Sequence, residues 1–206
     1  MSKKSFEPED INDLTDIYYN PDRAEDREKY ESLVQGMLSE IQENEIKNIF
    51  SVFGDCQKVP TRKNKKTVDF KIDEAKLLIE GHSYNPNYFI VKTLSYPTHT
   101  FNVINTAIKH AEEKDYSEFP GYFKGEVIHW SSKFLEHADP WSLKQDKNFL
   151  EIIQKSQLDY LIILPQEASI SGHDSREVYP PLVFVKVSLR ELFKQKLPKN
   201  YEIYEI

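Results

Sequence analysis

Two adjoining segments, Lys66–Asp73 (KTVDFKID) and Lys76–His82 (KLLIEGH), decide the fold of this chain. Apolar and polar side chains alternate in the first segment, and this pattern predicts a half-buried strand. The second segment is an apolar strand with one carboxylate near its end. Because only Glu74-Ala75 need separate the two strands, we expect them to form an antiparallel hairpin.

The apolar side chains of this hairpin indicate its register. If Phe70 lies opposite Ile79, the apolar residues share one face, and Asp69 lies opposite Glu80 on the other. Two like charges on adjacent strands destabilise a sheet, but a divalent cation such as Mg²⁺ or Mn²⁺ binds such oxygen ligands. Two alternatives stay open: both carboxylates face water, or the register slips by one residue, because Glu-Ala is not a favoured tight turn.

The rest of the chain predicts an α/β fold, with a mixed central sheet and helices on its faces. An apolar stripe from Tyr30 to Ile41 predicts an amphipathic helix that begins near Arg23 and runs to about Glu43 or beyond. The other expected elements are a short strand at 55–59, strands at 88–94, 125–130, 159–164 and 182–187, helices at 97–115, 143–155 and 189–197, and an edge strand or tail at 201–206.

Length and composition favour a single soluble domain. The 206 residues include 12 Phe and 12 Tyr, enough for a large core. No apolar run approaches the roughly 20 residues that span a bilayer, and the first ten residues lack the apolar core of a signal peptide. The single Cys56 excludes an internal disulfide and a thiolate metal cage. We therefore expect a cytoplasmic protein with an acidic arm at residues 1–22 and one α/β domain at residues 23–206.

The net charge of −7 is unevenly distributed. Residues 1–31 contain ten acids and five bases, and the remaining residues are nearly neutral. A run of five bases without an acid leads into the strand that carries Asp69. Such a run is either a solvated loop or a contact for nucleic-acid phosphates. Its residues are Lys58, Arg62, Lys63, Lys65 and Lys66.

The hairpin with its carboxylates at Asp69 and Glu80 resembles the core of the PD-(D/E)XK nuclease superfamily, which includes restriction endonucleases and Holliday-junction resolvases. The resemblance covers roughly residues 24–130. It implies a restriction endonuclease-like fold with an α-β-β-β-α-β core and a homodimer that acts on DNA. It also implies that Asp69 and Glu80 hold Mg²⁺ or Mn²⁺ for phosphodiester hydrolysis, assisted by Glu31 of the first helix, with Glu28 behind it.

Two positions depart from the pattern of that superfamily. Val68 stands where many members have proline, and His82 stands where a lysine helps to activate the attacking water. A histidine there could bind metal or act as a base. Lysines at this site also migrate, so Lys71 or Lys109 could take the role.

Three functions remain open from the sequence. The first is a metal-dependent nuclease acting on branched or single-stranded DNA. The second is a catalytically inactive module of the same fold that binds nucleic acid or a partner protein. The third is a host-interaction protein whose acidic arm docks a partner; the Tyr-, Ile-, Lys- and Glu-rich, Gly-poor composition would suit a virus of a thermophilic archaeon.

Overall fold

The computed structural model of the chain describes residues 39–63, 65–84, 96–131, 139–166 and 179–206. The chain divides into two compact units, Met1–Glu45 and Ile46–Ile206. The expected arm, the stripe from Tyr30 to Leu38 and the strand at 88–94 lie outside the described residues. The domain boundary near residue 22 therefore stays a prediction.

Helices and strands follow the α/β order expected from the sequence. No helix among the described residues is both long enough and apolar enough to cross a bilayer. The elements are α1 (39–50), β1 (Gln57–Lys58), β2 (Phe70–Ile72), β3 (Leu77–Tyr84), α2 (Tyr96–Glu112), β4 (Phe123–Ser131), α3 (Pro140–Leu143), α4 (Lys147–Gln154), β5 (Tyr160–Gln166), β6 (Leu182–Val185), α5 (Val187–Lys196) and β7 (Glu202–Glu205).

The described strands form one mixed sheet of seven strands, arranged in chain order from β1 to β7. Strands β1, β2 and β3 are antiparallel, whereas β3, β4 and β5 run parallel. A parallel neighbour requires a crossover connection, and helix α2 lies in the connection from β3 to β4. Strand β6 is antiparallel to β5, and β7 pairs parallel with β6 at the sheet edge. The mixed α/β class is thus confirmed.

The register of the β2–β3 hairpin is the one that the apolar residues predict, with Phe70 paired to Ile79 and Ile72 paired to Leu77. The turn is longer than the two residues expected, because it includes residues 73–76. Lys76 adopts a positive φ of 50°, the left-handed conformation that closes many turns. The longer turn keeps the register, since it adds one residue on each side.

The two faces of the sheet carry separate hydrophobic cores, which explains why strands β5 and β6 are almost entirely apolar. Alternate residues of each strand point to opposite faces. One face packs the part of α1 from Ile46 onwards and helix α5 onto the sheet, with Ile46, Phe50, Ile79, Val127, Tyr160, Ile162, Leu189 and Phe193 in its core. The opposite face packs α2 and α4, with Ile104, Ile108, Ala111, Ile128, Trp130, Phe149, Ile153 and Leu161 in its core.

The helix expected at 143–155 is present as α4, but it begins later, at Lys147, and the short helix α3 ends before it at Leu143. The Asp146 carboxylate accepts hydrogen bonds from the backbone N–H groups of Asn148 (2.8 Å) and Phe149 (3.0 Å). Such a cap satisfies the free N–H groups of a helix start, so the aspartate sets the beginning of α4.

Gly125 of β4 makes room for the aromatic ring of Tyr160 on β5. The two residues are register partners, and Tyr160 is fully buried. Its hydroxyl donates a hydrogen bond of 2.7 Å to the carbonyl oxygen of Leu78 on β3. The ring therefore passes over Gly125 and joins three strands. A Cβ atom at Gly125 would lie 1.9 Å from the ring.

We expect Gly125→Ala to destabilise the protein by about 2–4 kcal/mol, because the added methyl group has no space beside the Tyr160 ring. Urea denaturation of the wild type and variant measures the difference in the free energy of unfolding. Tyr160→Phe keeps the ring and removes only the buried hydrogen bond, so it should cost about 1 kcal/mol. In a Tyr160→Leu background, Gly125→Ala should cost clearly less; equal costs in both backgrounds would contradict this packing.

Candidate active site

Glu80 is a buried carboxylate in the middle of the sheet, only 2% exposed. Its Oε1 atom lies 2.6 Å from Nζ of Lys114, which follows helix α2. Its Oε2 atom has no hydrogen-bond partner among the described residues. Burial, and next the negative charge of Asp69, raise the pKa of Glu80 to about 7, although the hydrogen bond from Lys114 opposes this shift.

Asp69 lies directly before β2 and faces the strand that carries Glu80. Its Oδ2 atom accepts a hydrogen bond of 2.9 Å from the backbone N–H of Gly81. This bond joins the Asp69 carboxylate to the strand β3 that carries Glu80. The structure brings the two sequence-predicted ligands near each other, one directly before β2 and one on β3, and the charge of Asp69 acts on Glu80.

Glu126 of β4 is a third carboxylate beside this pair, and sequence reasoning missed it. In the parallel pairing of β3 with β4, Glu126 is the register partner of Glu80, so both side chains point to the same face. Glu126 is fully buried, and neither of its carboxylate oxygens has a hydrogen-bond partner among the described residues. Burial, followed by the charges of Glu80 and Asp69, raises the pKa of Glu126 well above its usual value. The sequence feature that could have identified Glu126 is an acidic residue inside the predicted strand GEVIHW.

Two histidines, His82 and His110, lie beside Glu80. The rings of His82 on β3 and His110 on α2 are 5.5 Å apart between centroids, and Nδ1 of His110 is 3.4 Å from Oε1 of Glu80. Burial lowers the pKa of both histidines, and the neighbouring Lys114 lowers them further. Both rings are therefore mainly neutral near pH 7 and can accept a proton.

Lys114 is the lysine that the structure places beside Glu80, rather than either of the two lysines proposed from the sequence. Nζ of Lys71 lies 2.6 Å from the Asp73 carboxylate at the hairpin turn. Lys109 is exposed on α2. Lys114 escapes sequence reasoning because it follows the end of its helix and reaches a strand distant in the chain. The carboxylates expected from the first helix, Glu31 and Glu28, lie outside the described residues.

The basic run is largely paired with acids that follow helix α2. Lys65 lies 2.9 Å from Asp115 and Lys66 lies 2.5 Å from Glu113. These partners are substantially exposed, and such surface ion pairs contribute only about 0–1 kcal/mol each. The pairs can therefore open at low cost. The third pair joins Arg62 to Glu118, while the side chains of Lys58 and Lys63 are exposed.

The donor set at this site consists of hard oxygen ligands. No group of three His, Cys, Asp or Glu side chains among the described residues stands ready to hold a metal ion. However, Glu80 Oε2 and both oxygens of Glu126 are buried without a hydrogen-bond partner there, and Mg²⁺ and Mn²⁺ prefer such carboxylate oxygens. The residues thus fit a divalent cation, provided that the carboxylates draw together around it.

Comparison of the chain with known proteins leaves its family open. No family model matches it. Searches against curated proteins and solved structures also give no match. The functional argument therefore depends on the geometry of the site.

The raised pKa of Glu80 makes stability depend on pH. In the folded state the Glu80 carboxyl group keeps its proton up to about pH 7, whereas an ordinary glutamate loses its proton near pH 4.5. The folded protein thus binds more protons across this window, and the free energy of unfolding falls as pH rises. In EDTA, Glu80→Gln should remove on the order of 1–3 kcal/mol of this fall between pH 5 and 8.

Urea denaturation at several pH values measures this dependence. Glu151→Gln is the matched control, because Glu151 is an exposed carboxylate on α4 that pairs with Lys155. If Glu80→Gln and Glu151→Gln show the same pH dependence as the wild type, Glu80 does not hold the proton.

Proposed function

We propose that this protein is a metal-dependent nuclease that hydrolyses DNA phosphodiester bonds, with branched or single-stranded DNA as candidate substrates. One observation carries the proposal: a buried glutamate, Glu80, pairs with Lys114 through one oxygen and leaves the other oxygen without a described partner. A carboxylate costs free energy when buried without such a partner. A divalent cation bound to the free oxygen of Glu80 would remove this cost, and a metal-dependent nuclease needs such a cation.

Asp69 and Glu80 would hold Mg²⁺ or Mn²⁺ in this proposal. A bound cation of this kind polarises a phosphodiester and lowers the pKa of water. Lys114 fixes the orientation of the Glu80 carboxylate and leaves positive charge beside the scissile phosphate. His82 and His110 have lowered pKa values and are therefore mainly neutral near pH 7, so each has a ring nitrogen that can accept a proton from water.

The order of elements supports a restriction endonuclease-like fold. Helix α1 precedes three antiparallel strands, and α2 leads to β4, which is parallel to β3. This order agrees with the α-β-β-β-α-β core that the resemblance implies. The homodimer is part of the same proposal, because two active sites would be needed to cut both strands of a duplex.

The second candidate function is binding without catalysis. It is favoured by His82 in the position where the resemblance implies a lysine, and by Asp69, whose Oδ2 atom is already engaged by Gly81. In that case the same face would bind nucleic acid or a partner protein, and the acidic cluster would have lost its reaction.

A cleavage assay separates the two functions. We expect the wild type to cut supercoiled or branched DNA with Mg²⁺ or Mn²⁺ and to lose activity in EDTA. Asp69→Asn and Glu80→Gln should each lower the rate by about a hundredfold or more, because each removes a ligand charge. Glu151→Gln, an exposed position on helix α4 outside the carboxylate cluster, should cut like the wild type.

The outcomes differ clearly between the candidates. Equal cutting by all variants would indicate a contaminating nuclease and would contradict the assignment of Asp69 and Glu80 as the active site. DNA binding without cutting, in either metal, would favour the binding module.

Opening the surface ion pairs should strengthen binding to DNA. Glu113→Gln, Asp115→Asn and Glu118→Gln together free Arg62, Lys65 and Lys66 to contact phosphates, so we expect about three- to tenfold tighter binding at low salt. Fluorescence anisotropy with labelled DNA measures the affinity. The salt dependence should also steepen, because more counterions are released.

A control that removes two negative charges elsewhere, compared per charge removed, distinguishes this contact from general repulsion. Glu151→Gln and Glu191→Gln remove negative charge elsewhere on the surface and should change the affinity much less. If both sets of variants strengthen binding equally, the basic run does not form the contact.

A further inference from the structure

We propose that Glu126 is a third ligand of the divalent cation, completing a site with Asp69 and Glu80. This inference rests on the proposed function, and it adds a ligand from β4 to the pair on the hairpin. The site would thus consist of carboxylates from three positions in the sheet: the residue before β2, strand β3 and strand β4.

The pairing of the strands places Glu126 next to Glu80. Register partners on parallel strands project their side chains from the same face of a sheet, and Glu80 and Glu126 are such partners. Glu126 is 0% exposed, so bulk water cannot solvate its charge. Both of its carboxylate oxygens lack a hydrogen-bond partner among the described residues, although native proteins pair nearly all such buried groups.

Lys114 does not pair with the carboxylate oxygens of Glu126. Its ammonium group lies 2.6 Å from Oε1 of Glu80, while Glu126 receives no hydrogen bond from it. One positive charge therefore stands among three carboxylates. A proton on Glu126 would remove the charge but leave its oxygens without partners. A divalent cation satisfies both the charge and the oxygens.

The three carboxylates are not arranged as a finished metal site, because no group of three such side chains among the described residues is placed to hold a metal ion. Like charges repel one another, so a cation would have to draw the carboxylates together. Glu80 keeps Oε1 on Lys114 and has Oε2 to offer. Binding a cation would therefore draw Glu126 and Asp69 towards Glu80 and leave the ion pair intact.

Calorimetric titration of the full chain with Mn²⁺ alone tests the inference. Glu126→Gln keeps the size of the side chain and removes its charge. We expect it to bind Mn²⁺ about tenfold or more weakly than the wild type, similar to Asp69→Asn and Glu80→Gln. Glu151→Gln should bind like the wild type. Circular dichroism in EDTA checks that each variant is folded.

The titration separates this inference from the proposed function. If Asp69→Asn and Glu80→Gln lose Mn²⁺ while Glu126→Gln binds within twofold of the wild type, the third ligand is wrong and the two-ligand site stands. If the wild type does not bind Mn²⁺, both the third ligand and the metal-dependent nuclease are overturned.

A crystal structure with Mn²⁺ needs no variant and decides the case in which Glu126→Gln does not fold. An anomalous peak within coordination distance of a Glu126 oxygen, about 2.0–2.3 Å, supports the proposal. A peak between Asp69 and Glu80 with Glu126 turned away overturns it.

Discussion

The ion pair between Glu80 and Lys114 is the interaction on which the site depends. It joins a central strand to the segment that follows helix α2, and Glu80 is buried while Lys114 is only 11% exposed. Removing one partner of a buried pair leaves an uncompensated charge and typically costs about 3–5 kcal/mol. The pair thus fixes the end of α2 against the sheet. It also leaves negative charge in excess, because Asp69 and Glu126 lie beside it, and this excess is the physical reason for expecting a cation.

The segment that follows α2 connects the buried site with the surface. Lys114 points to Glu80, while the residues on either side of it, Glu113 and Asp115, pair with Lys66 and Lys65 of the basic run. Successive residues of this short segment therefore contact two different regions: Lys114 contacts the carboxylate cluster, and its two neighbours contact the basic run proposed to bind phosphates. A polyanion that opens the outer pairs would act within one residue of the lysine in the site.

Much of the fold could be predicted because its signals are local. The two-residue period of the hairpin favoured the pairing of Phe70 with Ile79, since a slip by one residue would turn the apolar side chains of β2 to the opposite face of the sheet. The apolar runs at β5 and β6 likewise indicated central strands. The start of α4 at Lys147 was missed, because the apolar residues of this helix, Phe149, Ile152 and Ile153, do not mark where it begins. The positive φ of Lys76 has no strong sequence signal outside glycine and asparagine.

By itself, the sequence determined the α/β class and favoured the observed register of the hairpin, with Asp69 opposite Glu80, because side-chain alternation acts between neighbours in the chain. Only the tertiary structure decided that Lys114, rather than Lys71 or Lys109, meets Glu80, and that Glu126 is its neighbour. These contacts depend on where the crossover helix α2 ends and on which residues of β3 and β4 become register partners. Local sequence patterns predict neither the end of α2 nor the register of β3 with β4, because the long-range packing of the helix on the sheet sets both.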